Sequence, residues 1–286
     1  MKVYPYINKL KDNKINIIKH KFVILGSLLG SGASGSVYKC IIDDRPYCVK
    51  VLSSNNYDSL ESMFNDWLYY EINISKKVSP SKYMPSLRYI SYKQTNKTIY
   101  VYIIYDYIDA LTLSEFINKS EYWTISNSDV IYSLKFSHKI NIIKQLINSV
   151  IELHSKYIVH CDLKLDNILI DNNMNIFIID FGSACLMDDN KHINIDEYNS
   201  ILGTDGYMAP ELYEYSVYYS SDTYSLVICI FEILIGDIWC NNKISLSIID
   251  KYIETHPEMD YSTLKQGLEY DPNNRPILNE LYRIFN

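Results

Sequence analysis

The apolar residues along this chain follow two different rhythms. Short apolar runs at residues 22–29, 36–42 and 47–52 are broken by polar turn residues, with Asp43 and Asp44 between the last two. Runs of that length bounded by turn residues predict strands. Residues 59–78 place Leu60, Phe64, Trp67, Leu68, Glu71, Ile72 and Ile74 near a 3.6-residue repeat, which predicts a helix. Two more strand-like runs follow at 87–93 and 98–105. Past Asp109 and Ala110 the rhythm changes. Residues 113–119 and 137–154 predict helices, the second with Ile140, Ile143, Ile147, Val150, Ile151 and His154 along one face. Residues 159–180 alternate short strands with a turn at Asp171, Asn172 and Asn173, and helices dominate from Ser220 onward. A strand-rich first third therefore meets a helix-rich remainder at residues 107–109. The fold class is α+β in two lobes, and a cleft between such lobes is a usual place for a small ligand.

Composition narrows the field. The chain has 286 residues, 48% of them hydrophobic, enough for a large core. Lys and Arg number 27 against 34 Asp and Glu, a net charge of −7, which argues against a nucleic-acid partner. The six cysteines, at 40, 48, 161, 185, 229 and 240, form no C-x-x-C pair and read as free thiols in a reducing compartment. The first ten residues lack a signal-peptide apolar run. The most apolar later stretch, 226–235, is interrupted by Glu232 and is too short to span a bilayer. The expectation is a soluble, intracellular, cytoplasmic protein without a membrane partner.

Five short strings stand in a fixed order. They are G-S-G-A-S-G-S-V from Gly30 to Val37, V-K at Val49 and Lys50, H-C-D-L-K-L-D-N from His160 to Asn167, D-F-G from Asp180 to Gly182, and A-P-E from Ala209 to Glu211. Glycines at 30, 32 and 35 let the backbone turn sharply and bring N–H groups close to phosphate oxygens. The same spacing occurs in dinucleotide folds, but there it runs into a helix. Here residues 37–42 read as a strand, which favours a hairpin laid over phosphates; a plain Gly/Ser-rich turn is the alternative. Lys50, in an apolar run, needs an acidic partner if it is buried. Glu71, amid the apolar face of the predicted helix, is favoured over Glu61; a snorkelling surface lysine is the alternative. Asp180 ends the apolar run 176–179, where a carboxylate suits a Mg²⁺ ion or, alternatively, a turn cap.

In order and spacing these strings resemble the eukaryotic-type protein kinase signature in its serine/threonine-specific form. The resemblance covers about residues 22–285. It implies a bilobal fold, with a small antiparallel-sheet lobe carrying one helix at about 22–106, a hinge at about 106–109 and a larger, mainly helical lobe at about 110–286. Residues 1–21 would be a short extension. ATP and Mg²⁺ are implied as ligands and the Ser or Thr hydroxyls of proteins as acceptors. Asp162 would be the base, Lys164 would steady the transferring phosphoryl group, Lys50 with Glu71 would hold the phosphates, and Asn167 and Asp180 would be the metal ligands. The nucleotide would lie against Leu29, Gly30, Ser31, Gly32, Ala33, Ser34, Gly35, Ser36 and Val37, with Cys48, Tyr105, Asp106, Tyr107 and Leu169 around its base. His160 would support the loop, Thr204 would contact it, Asp222 would bond its backbone and Arg275 would pair with Glu211.

One departure stands out. The arginine of the family's His-Arg-Asp string is Cys161 here. That arginine clamps a phosphorylated activation segment through charge-assisted bonds. Its loss implies a kinase that does not depend on phosphorylation read through this position. The acidic Asp188, Asp189, Asp196 and Glu197 would also repel an added phosphate. An ATP-binding pseudokinase or scaffold is the alternative, but such chains typically lose Lys50, Asp162 or Asp180, and all three are present.

Overall fold

The apolar runs of the first third pair into one sheet. The computed structural model describes residues 16–17, 25–32, 35–54, 69–95, 98–118, 123–126, 129–132, 135–187, 192–194, 202–240, 243–257 and 259–286. Ala33, Ser34, Glu61, Asp188, Asp189, Asp196, Glu197, residues 59–68 of the expected helix and nearly all of the 1–21 extension lie outside these residues. The chain divides into two compact units, Met1–Asp109 and Ala110–Asn286.

In the first unit the strands are β1 (Asn16–Ile17), β2 (Leu25–Gly32), β3 (Gly35–Ile42), β4 (Arg45–Ser54), β5 (Leu87–Gln94) and β6 (Ile99–Asp106), in the order β1-β5-β6-β4-β3-β2. All neighbours are antiparallel except β1, which runs parallel to β5 through Asn16 and Ile17. Asp43 and Asp44 join β3 to β4 with φ of 48° and 62°. Two left-handed residues give a tight turn whose twist matches the strands, and aspartate tolerates that conformation. Directly opposed residues share a face, so Val37, Lys50, Ile103 and Ile90 form one row across β3, β4, β6 and β5. The opposite face buries Cys40, Ile42, Val49 and Ile104 in an apolar cluster. Helix α1 (Tyr69–Val78) buries Glu71, Ile72, Ile74, Ser75 and Val78.

The second unit begins with β7 (Ala110–Thr112) and α2 (Leu113–Asn118), then a hairpin of β8 (Trp123–Ser126) and β9 (Asp129–Tyr132). Helix α3 (Phe136–Ser155) matches the expected 3.6-residue pattern, but its buried stripe is Ile142, Ile143, Leu146, Ile147, Ser149, Val150 and Leu153. Ile140, Ile151 and His154, expected on that face, are only half-buried. Leu146 and Leu153 turn the stripe away from them. Short strands follow: β10 (Ile158–Val159), β11 (Ile168–Asp171), β12 (Ile176–Ile178), β13 (Cys185–Leu186), β14 (His192–Asn194) and β15 (Ser216–Tyr218). Helix α4 (Tyr219–Ile235) is apolar nearly all round and buried from Leu226 to Leu234, the mark of a core helix. A β16–β17 hairpin (Trp239–Cys240, Lys243–Ile244) and helices α5 (Leu246–Thr255), α6 (Tyr261–Gln266) and α7 (Leu278–Ile284) complete the unit. Among the described residues no helix is long and apolar enough to cross a membrane. All six cysteines are free thiols, with Cys240 exposed.

Candidate active site

In the first unit, the glycine-rich string is a hairpin. Gly30 pairs with Val37, Ser31 with Ser36 and Gly32 with Gly35, so a strand follows the string, as its apolar pattern predicts. Gly35 has φ of 122°, and an added Cβ would lie 2.6 Å from the Val51 carbonyl. Glycine is required there by the chain itself. At Gly30 the added Cβ would meet no described residue within 4 Å. Packing among the described residues does not demand a glycine at 30. Leu29 is exposed, and Ser36, Val37 and Cys48 are half-buried. Burial pushes the Cys48 thiol up to about 11, so it is uncharged near neutral pH.

Lys50 and Glu71 are both buried, at 6% and 4% exposure, and form an ion pair of 2.7 Å. A lone ammonium at that depth would be costly; the pair meets this cost while leaving a cation on the sheet. Asp106, at the end of β6, takes two bonds from Arg88 (2.7 and 2.6 Å), and its N–H donates to the Ser86 carbonyl. The ammonium of Lys39 lies 4.0 Å from the ring centre of Tyr107.

In the second unit, the loop from His160 to Asn167 is held by the buried carboxylate of Asp222. That carboxylate accepts from the backbone N–H groups of His160 and Cys161 at 2.9 Å each and contacts His154 Nε2 at 2.9 Å. These bonds hold Cys161 at φ of 63°, a left-handed conformation that a residue with a side chain adopts at a cost. His160 is fully buried. Its Nε2 lies 3.1 Å from the Ile179 carbonyl, which can only accept, so Nε2 carries the proton and Nδ1 accepts from the Asp162 N–H. His160 therefore braces the loop.

Asp162 is fixed from several sides. The Thr204 hydroxyl donates to its Oδ1 at 2.6 Å, and Asn167 Nδ2 donates to its Oδ2 at 2.9 Å and to its carbonyl at 2.8 Å. Lys164 Nζ donates to Thr204 at 2.5 Å and lies 3.4 Å from Asp162 Oδ2. With Nδ2 so engaged, Asn167 has its Oδ1 to offer a ligand. The Asn167 carbonyl accepts from the Ile179 N–H at 3.0 Å, continuing the ladder in which Ile168 opposes Ile178. The β11–β12 hairpin thus brings Asn167 and Asp180 to the same end, with Asp180 at φ of 61°. Leu169, between Phe177 and Thr112 in the middle strand, is half-buried on the opposite face from the buried Ile168 and Ile170.

No group of three or more His, Cys, Asp or Glu side chains suited to a metal occurs among the described residues. Mg²⁺, unlike a protein-caged ion, is typically held by one or two protein oxygens plus phosphates. The Asn167 side-chain oxygen and the Asp180 carboxylate, carried at the same end of the β11–β12 hairpin, are oxygens of that kind.

Other contacts were not legible in the sequence. Cys161 lies in an apolar cluster with Val159, Met187, Met208, Ala209, Leu212 and Val217, at 2% exposure. The Cys185 thiol beside it and full burial push its own thiol well up. Gly203, at φ of 101°, packs so close that a Cβ would lie 2.6 Å from the Cys161 carbonyl. Glu232, inside α4, accepts from the Tyr207 hydroxyl (3.0 and 2.8 Å) and from the Trp239 indole at 2.7 Å. Burial raises its carboxyl to about 7, against the pull of those donors. A glutamate in a run of Ile, Cys and Phe was the signal; its partners were not readable. Glu211 and Arg275 form the expected pair, bidentate at 2.6 and 2.7 Å, with Ser221 donating to Glu211 as well.

Comparison with known proteins agrees with this architecture. A family model described as "Protein kinase domain" matches residues 23–282. A Dictyostelium discoideum protein named "Probable serine/threonine-protein kinase" is 27% identical over 96% of this chain and 62% of its own length. The L-type lectin-domain containing receptor kinase V.5 of Arabidopsis thaliana is 31% identical over 73% of this chain and 29% of its own. Serine/threonine-protein kinase PrkC of Bacillus subtilis is 32% identical over 54% of this chain and 22% of its own. The chain thus spans between 22% and 62% of the length of these relatives. With the family model covering nearly the whole chain and a fold of the matching kind, the chain belongs to the protein kinase domain family.

Proposed function

We propose that this protein is a serine/threonine protein kinase that moves the γ-phosphoryl group of ATP to Ser or Thr hydroxyls of protein substrates. The observation that carries this reading is the setting of Asp162, whose two carboxylate oxygens are oriented by Thr204 and Asn167 with Lys164 alongside. In this role Asp162 accepts the proton of the acceptor hydroxyl as the hydroxyl oxygen takes the phosphoryl group and ADP leaves. Lys164 places a positive charge where the transferring group's charge is greatest. Lys50, held by Glu71, binds the α- and β-phosphates, and the hairpin at Gly30, Ser31, Gly32, Gly35 and Ser36 covers them. Val37, Cys48, Tyr105, Asp106, Tyr107 and Leu169 surround the base, with Leu29 at its margin. Asn167 and Asp180 hold Mg²⁺, which neutralises phosphate charge when bound.

The reading includes independence from activation-segment phosphorylation at the usual arginine. Cys161 sits in an apolar cluster and offers no cation to a phosphate. The test is transfer of labelled γ-phosphate to a panel of generic proteins, followed by phosphoamino-acid analysis. Label on serine and threonine is expected. Absence of transfer, with nucleotide still bound, would support the pseudokinase alternative and overturn the proposal. Activity lost on phosphatase treatment would remove the independence from phosphorylation.

A further inference from the structure

Two polar contacts among the described residues join α1 to the sheet of the first unit. One is the Lys50–Glu71 pair at 2.7 Å. The other is a hydrogen bond of 2.8 Å between the hydroxyls of Ser75 on α1 and Tyr105 on β6. Ser75 is wholly buried. The two points are related by the geometry of the elements. Glu71 and Ser75 are four residues apart, so they lie on one helix face about 6 Å apart along the axis. Tyr105 stands opposite Cys48, two residues before Lys50 on β4. Residues two apart on a strand share a face and are spaced by about 6.6 Å. Lys50 and Tyr105 therefore project from the same face of the sheet, at a spacing along the strands that matches the spacing on the helix.

We infer that Tyr105 and Ser75 are positioning residues that set the register of α1 on the sheet and thereby keep Glu71 on Lys50. One contact between a helix and a sheet allows pivoting about that point; two contacts on different strands fix both slide and rotation. A slip of α1 by one residue would leave the buried Ser75 hydroxyl without Tyr105, a bias of about 5- to 100-fold for the observed register. Tyr105 is thereby given a task beyond bordering the base. The inference rests on the kinase reading for its kinetic consequence, but the register is a property of the fold alone.

The test uses the full chain and the variants Tyr105→Phe, Ser75→Ala and the double variant. Each single change should lower kcat for phosphoryl transfer about 2- to 10-fold, because a displaced Lys50 no longer aligns the α- and β-phosphates for transfer. The double variant should be no slower than the slower single one, since the two groups act as one bond. It should also regain melting temperature, because no buried hydroxyl is left without its partner. A merely structural role would return kcat along with stability. Amide hydrogen exchange in α1 should be faster in all three variants than in the wild type. Unchanged kcat in an active protein, or unchanged α1 exchange, overturns the register role. If the wild type transfers no phosphoryl group, the kinase reading fails, and exchange in α1 alone decides the register.

Discussion

The two units hold their charged residues in different ways. In the first, the buried cation Lys50 is placed by a sheet on one side and by Glu71 of helix α1 on the other. In the second, Asp162 lies in a web: Thr204, Asn167 and Lys164 orient its carboxylate, His160 receives its N–H, and Asp222 fixes the turn before it. Two of those bonds, from Thr204 to Asp162 and from Cys161 to Asp222, join residues far apart in the sequence, and the others lie within the loop itself. The difference teaches where each unit is sensitive. A web can lose one bond and keep its geometry, whereas the register proposal has α1 shift when its Ser75–Tyr105 bond is lost.

The largest effect is expected where chemistry meets the web. Asp162→Asn should reduce kcat by about 10² to 10⁴, measured as initial rates of labelled phosphate transfer. Near-normal turnover would show that the web orients a residue with no role as base. Next comes the frame of the second unit. Arg275→Ala leaves Glu211 buried without its bidentate partner and should destabilise the protein by about 3–5 kcal/mol, read in denaturant unfolding. A loss below 1 kcal/mol would mean the pair is relaxed by solvent.

A pH series tests Glu232. Burial raises its carboxyl from 4.5 to about 7, so between those values the folded chain keeps a proton that the unfolded chain has released. Its contribution therefore falls as pH rises through that window and is level above it, a change of at most about 3 kcal/mol. Glu232→Gln should flatten the melting temperature profile between pH 5 and 7 relative to wild type. Parallel profiles would refute the raised carboxyl. The smallest effect falls on the first unit. Glu71→Gln keeps an acceptor for Lys50 but removes its charge, and should lower kcat about 10- to 10²-fold through misplacement of the lysine. Unaltered kcat would show that Lys50 holds its place without the glutamate.

Much of this was legible in the chain itself, for identifiable reasons. The strands of the first unit are short apolar runs between clear turns, so their runs matched the observed elements within a few residues. Glu71 was readable as the partner of Lys50 because a charged residue on an apolar helix face requires one. Arg275, Glu211 and Asp222 were readable through the order of the strings. The α3 stripe was misplaced because Leu146 and Leu153 were left out of the pattern. Ser75 carried no signal, since a serine in a helix usually faces solvent or its own backbone. Trp239 and Tyr207 were equally silent: they meet Glu232 only through the tertiary path of the chain.

The hairpin glycines make one last distinction available. At position 35 a methyl group would strike the neighbouring main chain, so alanine there harms folding whatever the protein binds. At position 30 the same methyl would touch none of the described residues within 4 Å. A single carbon atom can thus be used to ask whether evolution left that space for the chain or for its visitor.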